Sequence, residues 1–403
     1  MLYDSVSQRK NILLNMINHL GPISRTALIE LTDFRPATVG ALAGELIADK
    51  LIVETENVSV GHGRKRVLLD INKTHICAIG ISFAPKHATF IVAQFDGKII
   101  YTNQIDFHAA NPNDNQIARI AENLQMILDK FSDKNLVGIG LCKFLFDATG
   151  FRSATNTWIR ERMIPEIQKI TSLPIQLFSE VTLPAVSEHR YGIAQDVNNF
   201  IWVNLTDSIT ASLFCDGVAV AGGNQAAGML GHMAVDNTAT KLCYCGKPGC
   251  VESTSAWPAL ASEIRQALRS GVHTCLQSSG ATAEDFTFID VRRALDEGDR
   301  MCKHYVKAAA HRIGLALANV VNLLNPEMIV LHGFMLRLGK HFTKEMENTI
   351  RDNVIPVASN VKIEISNDFE NPMLLGAVAE MFSAFLHTED YHWIYKLAAE
   401  PNT

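Results

Sequence analysis

The sequence predicts an α/β protein: a small helical head with a β-hairpin, then two lobes built on the same order of strands and helices. Three observations carry that expectation. The first 72 residues hold three segments of helical period and a pair of short apolar runs flanking a basic tip. After Asn72 buried strands take over, and a strand–hairpin–strand–helix–strand order occurs twice. Within the second occurrence lies a polar, glycine-rich stretch with three cysteines in eight residues. A chain of 403 residues has room for two or three domains with cores of their own. The expected divisions are residues 1–72 for the head, 73–190 plus 376–403 for the first lobe, and 191–375 for the second.

In the head, Ile12, Leu13, Met16, Ile17 and Leu20 recur at helical spacing and give one apolar face, which Gly21-Pro22 ends. Ser24 reads as the N-cap of a short helix from Arg25 to Leu31. A turn over Thr32-Asp33-Phe34-Arg35 leads to Pro36, which suits the first turn of a third helix reaching about Lys50. Leu51 to Glu54 and Arg66 to Leu69 flank Gly61-His62-Gly63-Arg64-Lys65 as a hairpin. Helix-turn-helix followed by a basic hairpin is a winged helix, whose third helix enters the major groove while the wing approaches phosphates. Eight basic and eight acidic side chains make residues 1–72 neutral, so charge placement matters more than the sum. Arg35 and Thr38 are the expected base contacts, and Arg25, Arg64, Lys65 and Arg66 the phosphate contacts. Gly40, Ala41, Ala43 and Gly44 offer the third helix close approach to DNA but few groups that read bases.

In the first lobe, strands run from Ile76 to Ile81 and Ala88 to Ala93, then Asp96-Gly97 turns into a third at Lys98 to Tyr101. A helix over 113–131 precedes a strand from Leu136 to Leu141. The second lobe repeats the plan with Phe200 to Leu205, Ile209 to Cys215, Asp216-Gly217, Val218 to Ala221, helices, and Met328 to Leu331. Such duplication suggests an actin-like ATPase, or ribonuclease H-like, pair of lobes. Ala308 to Leu324 reads as a helix apolar nearly all round and therefore buried, and Pro372 to Leu386 as another apolar helix.

Composition narrows the class. Charged residues are 19% and hydrophobic residues 47%, as in ordinary globular proteins, and the net charge of −6 argues against non-specific coating of nucleic acid. No apolar run approaches the ~18 residues of a membrane span, so no membrane insertion is expected. Met1 to Leu20 is amphipathic rather than signal-like. Cys77, Cys142, Cys215, Cys275 and Cys302 lie scattered in apolar runs, as in a reducing compartment, so the expected location is cytoplasmic.

Cys243-Tyr244-Cys245-Gly246-Lys247-Pro248-Gly249-Cys250, with His232 eleven residues upstream of the first cysteine, supplies a Cys₃His set. That donor set suits one closed, structural Zn²⁺ site. Glycine and proline between the second and third cysteines allow one loop to wrap the ion.

Gly228-x-x-Gly231-His232 followed by Cys-x-Cys-Gly-x-x-Gly-Cys-x-Glu, ending at Glu252, resembles the signature of the ROK family, in its repressor branch. The family joins sugar kinases and sugar-responsive repressors, and its histidine and three cysteines hold zinc beside the sugar pocket. The resemblance also implies what this chain lacks. ROK kinases show Asp-x-Gly-Gly-Thr in the first hairpin where this chain has Ser82-Phe83-Ala84-Pro85, and Gly-Thr-Gly where it has Thr206-Asp207-Ser208. His332-Gly333-Phe334 replaces paired nucleotide-binding glycines. The catalytic Glu-Asn-Asp becomes Glu180-Val181-Thr182, and threonine cannot act as a general base near neutral pH. No catalytic residue is therefore expected. Of the sugar pocket, His232, Glu252 and Glu180 are the candidate effector contacts, while Met229, Val181 and Thr182 suit a less hydroxylated ligand, or none.

The expectation is a non-enzymatic transcriptional repressor of sugar or related carbon metabolism. It would bind a double-stranded operator as a homodimer or homotetramer and answer to a sugar or sugar-phosphate effector. The alternatives are a sugar kinase with an attached regulatory domain and a protein-interaction module without DNA affinity.

Overall fold

The computed structural model describes residues 6–55, 67–84, 86–108, 113–143, 154–236, 238, 240–278, 282–367 and 371–386. The expected wing tip, with Arg64, Lys65 and Arg66, lies outside these residues, as does Pro85. Two compact units emerge. One contains the described residues up to 143 together with 154–178 and 373–386; the other spans 179–372. The head thus groups with the first lobe, and residues 179–190 and 373–375 fall on the other side of the boundary from the divisions read in the sequence.

The first unit opens with α1 (Val6–Leu20), β1 (Ile23–Ser24), α2 (Arg25–Thr32) and α3 (Pro36–Ala48), then β2 (Ile52–Thr55) and β3 (Leu68–Ile71). Ser24 caps α2, its hydroxyl accepting from the Ala27 amide at 3.2 Å, and Pro36 occupies the first turn of α3. Between α2 and α3, Asp33 turns the chain in the left-handed region (φ 55°). β2 and β3 pair antiparallel from Ile52 opposite Ile71 to Thr55 opposite Leu68, and β1 adds to the other edge of β3. The α1 helix departs from the single apolar face expected of it. Ile12 to Ile17 are all buried, Asn15 included, because a second surface covers the helix.

That surface includes the end of the helix over 372–386. The first lobe is a five-stranded sheet, β6-β5-β4-β7-β8, of β4 (Ile76–Phe83), β5 (His87–Gln94), β6 (Ile99–Asp106), β7 (Asn135–Lys143) and β8 (Ile175–Ser179). On one face α4 (Asp114–Lys130), α5 (Ala154–Trp158) and α6 (Ile164–Ile170) build a core with Ile79, Ile81, Phe90, Leu124 and Met163. The opposite face takes the C-terminal helix, 372–386. A Cβ on Gly140 would stand 2.7 Å from the Ala377 carbonyl oxygen, so the missing side chain is what lets this helix reach the sheet. The helix ends on the head, where the buried Asn15 amide donates to the Leu386 carbonyl. A second tie joins Asn135 Nδ2 to the Asp49 carbonyl at 2.7 Å, just past α3.

The second unit starts with α7 (Leu183–Tyr191) and a mixed sheet, β11-β10-β9-β12-β13. Its strands are β9 (Phe200–Leu205), β10 (Ile209–Cys215), β11 (Val218–Ala219), β12 (Met328–His332) and β13 (Lys362–Ile365). Between β11 and β12 come α8 (Val251–Ser255), α9 (Trp257–Arg269), α10 (Cys275–Ser278), α11 (Phe288–Asp296) and α12 (Arg300–Leu324); α13 (Lys340–Asn353) precedes β13. The last helix among the described residues is α14 (Pro372–Leu386), which from Met373 onward belongs to the first unit. The main core of this unit lies between the sheet and α8, α9, α11, α12 and α13. A smaller aromatic cluster with Phe200, Trp202 and Phe214 covers the other face beneath α7. The α12 helix begins eight residues earlier than its apolar pattern suggests, because Asp299 caps it through the Cys302 amide at 2.7 Å. It is not covered all round either: Leu323 is 80% exposed at its end.

Candidate functional site

The Cys/His stretch folds as a knuckle between β11 and α8. Gly228, at φ +79°, enters it; a Cβ there would lie 1.9 Å from the Ala211 carbonyl oxygen. A short 3₁₀ turn, Leu230–His232, presents the imidazole. Two antiparallel bridges, Ala234 with Cys250 and Leu242 with Pro248, fold the loop back on itself. Its tip is closed by Cys243 N to Lys247 O and Gly246 N to Cys243 O, both 2.9 Å. Gly246 and Gly249 carry the positive φ that the wrap demands, +84° and +77°.

The ligand atoms of His232, Cys243, Cys245 and Cys250 all lie within 4.8 Å of one another. His232 Nδ1 is 3.5 Å from Cys243 Sγ, and Cys245 Sγ is 3.6 Å from Cys250 Sγ, too far for a disulfide. A tetrahedral ion with metal–sulfur bonds of about 2.3 Å and metal–nitrogen bonds of about 2.0 Å sets its donors about 3.5–3.8 Å apart. The donor types and the spacing therefore fit a metal ion. Burial, with Cys245 and Cys243 alongside, pushes the Cys250 thiol up to about 12, while burial lowers His232 below its ordinary value. A cation is what would allow three such close sulfurs to ionise together.

Two supports were not legible in the sequence. Tyr244, between the first two cysteines, places its hydroxyl 2.9 Å from His232 Nε2. Arg312, in the middle of α12, reaches Asp236 of the knuckle at 3.8 Å, Glu263 of α9 at 3.5 Å and the Thr254 carbonyl at 3.0 Å. Nothing in local spacing links Arg312 to a loop some 70 positions earlier; only the packing of α12 against α8 does.

The candidate effector residues are already engaged. Glu252 Oε2 accepts from the Ile209 amide at 2.7 Å, and burial raises its carboxyl above the usual range. Glu180 is half-buried just after β8. The turn compared with the second kinase phosphate loop is likewise closed on itself. In the turn after β9, Thr206 N donates to Ser208 O at 3.1 Å and Ile209 N to Glu252, so these amides point inward. The Thr182 hydroxyl donates to the Ser179 carbonyl at 3.2 Å, beside buried Val181.

In the head, Arg35 is exposed at the N-terminus of α3 and Thr38 is half-buried one turn on. Arg25 is held by Glu54 of β2 at 2.7 Å, with about a third of its side chain exposed. A Cβ on Gly40 or Gly44 would meet nothing within 4 Å, so the exposed face of α3 is left smooth and uncovered by its own unit.

Duplicated five-stranded sheets flanked by helices, with a Cys₃His knuckle in the second unit, define a sugar-kinase-like two-lobed α/β protein. The chain belongs to the ROK family, whose sequence pattern matches residues 78–380. A xylose repressor of Caldicellulosiruptor bescii is 26% identical over 389 residues, covering 95% of this chain and 96% of the repressor. The crystal structure of a ROK family transcriptional regulator, a homologue of the E. coli Mlc protein, superposes with a TM-score of 0.77 at 23% identity, over 94% of this chain and 96% of that one. A ROK family glucokinase from Streptomyces griseus is more distant: TM-score 0.58 and 17% identity, covering 75% of this chain but 98% of its own.

Proposed function

We propose that this chain is a DNA-binding transcriptional repressor of sugar or related carbon metabolism, without kinase activity. The observation that carries this is the head: three helices and a three-stranded sheet, with the α3 face bare, fixed ahead of a ROK body. We read it as a winged helix-turn-helix. The glucokinase fold accounts for almost all of the kinase but leaves a quarter of this chain over, whereas the repressor relative aligns nearly end to end. The closed turn at Thr206-Asp207-Ser208 and the engaged Thr182 hydroxyl argue against phosphoryl transfer, which needs amides open to phosphate and a proton acceptor.

On this reading Arg35 and Thr38 meet bases. Arg25, oriented by Glu54, uses its remaining N–H groups on phosphate, and Arg64, Lys65 and Arg66 add the wing contacts. One structural Zn²⁺ per chain sits on His232, Cys243, Cys245 and Cys250. A cytoplasmic homodimer or homotetramer matches a pseudo-palindromic operator, and a sugar or sugar-phosphate effector releases it. Among the described residues no helix is long and apolar enough to cross a membrane.

The test is a titration, at fixed salt, of a labelled fragment of the promoter upstream of its own coding region. Nanomolar, sequence-selective binding that falls about 10-fold or more in Arg35→Ala supports the reading, a loss of roughly 1–3 kcal/mol for one base contact. No affinity above random DNA supports the interaction-module alternative, and sugar-dependent ADP release from ATP supports the kinase.

A further inference from the structure

A metal-bound histidine has one ring nitrogen left over, and here that nitrogen meets Tyr244. We propose that Tyr244 is the positioning residue of the metal centre: its hydroxyl fixes the ring of His232 for ligation through Nδ1. This inference rests on the metal reading above.

The geometry assigns the two nitrogens. His232 Nδ1 lies inside the cluster, 3.5 Å from Cys243 Sγ, and Nε2 lies outside it, 2.9 Å from the Tyr244 hydroxyl. A neutral imidazole that gives its Nδ1 lone pair to a metal carries its proton on Nε2. Nε2–H therefore donates and the phenol oxygen accepts. That is the outer partner which holds a ligating ring in one tautomer and one orientation. The rings stand edge to face, 4.9 Å apart and 79° inclined, so the contact constrains the imidazole plane as well as its proton.

Position in the chain makes the arrangement self-assembling. Tyr244 lies between two of the sulfur ligands, so the loop closure that brings Cys243 and Cys245 to the ion also brings the hydroxyl to Nε2. The hydrogen bonds between Cys243, Gly246 and Lys247 fix that loop. Glu252, the acidic residue nearest the centre in sequence, is committed in the same way. Its Oε2 takes the Ile209 amide, and only the absence of a side chain on Gly231, where a Cβ would be 2.6 Å from that oxygen, lets it do so. Two of the three expected effector contacts thus have structural duties.

The experiment compares wild-type protein with Tyr244→Phe and Tyr244→Gln. Apo-protein is titrated with Zn²⁺ against a chromophoric chelator, and the visible spectrum of the Co²⁺ form and the ¹⁵N-histidine resonances are recorded. Tyr244 is 63% exposed, so removing its oxygen leaves the fold intact, which an unchanged apo melting curve checks. The expected result is 10–100-fold weaker Zn²⁺ binding in the Phe variant, a shifted Co²⁺ spectrum, faster exchange of the His232 Nε2 proton, and partial recovery with Gln, which can accept. Equal affinity with an unchanged Co²⁺ spectrum and Nε2 proton overturns the proposal while leaving the metal site standing. Failure of the wild type to bind stoichiometric Zn²⁺ overturns the metal reading, and this inference with it.

Discussion

Arg312 shows how one side chain binds a metal-type loop to the body. Its guanidinium faces Asp236, Glu263 and the Thr254 carbonyl from the middle of α12, largely out of solvent. Burial raises the Glu263 carboxyl, and the nearby Arg312 charge opposes that rise. Removing the arginine would take a cation from both Asp236 and Glu263 and a hydrogen bond from the buried Thr254 carbonyl. Arg312→Ala is therefore expected to lower stability by about 1–3 kcal/mol in urea denaturation. Hydrogen exchange should accelerate over residues 232–250 before it does over α12. Equal exchange in both regions would show that Arg312 merely packs α12.

At the scale of elements, α3 and β7 carry glycines with opposite meanings. Gly40 stands on the open face of α3, where a Cβ meets nothing, and Gly140 stands beneath α14, where a Cβ would meet a backbone carbonyl at 2.7 Å. Gly40→Ala should raise the stability of the head by up to about 1 kcal/mol through helix propensity. Gly140→Ala should lower that of the first unit by about 1–3 kcal/mol through overpacking. Thermal melting of both variants checks the pair. If α3 lies against DNA as proposed, Gly40→Ala also weakens operator binding despite its greater stability. A second element-scale expectation concerns α1 and α14. Asn15 supplies the amide that satisfies the Leu386 carbonyl at a helix end, so Asn15→Ala should loosen both helices together. Hydrogen exchange over 6–20 and 372–386 should rise in step; a rise confined to α1 would mean the helices are not coupled through this residue.

For the whole molecule, pH acts through buried carboxylates in the second unit. Glu188 is fully buried under the sheet, accepting from Ser366 Oγ at 2.6 Å and the Ile193 amide at 2.9 Å. Burial raises its carboxyl above the ordinary range, with these hydrogen bonds opposing. Because the folded state holds this proton more tightly than the unfolded chain, the contribution is fully present below the ordinary carboxylate range. It is lost as pH rises through the folded value. Glu252 and Glu263 act with the same sign. Glu188→Gln should therefore flatten the decline in melting temperature on going from acid towards neutral pH. An identical slope in the variant would remove Glu188 from the account.

Much of this protein is written in local pattern. Helical period and Ser24 and Pro36 announce the head, strand runs and Asp-Gly turns announce both sheets, and the Cys₃His set announces the knuckle. Each depends on neighbours a few residues away, where spacing translates directly into backbone geometry. Tertiary structure alone decided what long-range packing supplies: the second surface over α1, the reach of Arg312 to the knuckle, and the engagement of Glu252 by Ile209. These contacts join residues tens to hundreds of positions apart, and no periodicity records which chain segments a folded core will bring together.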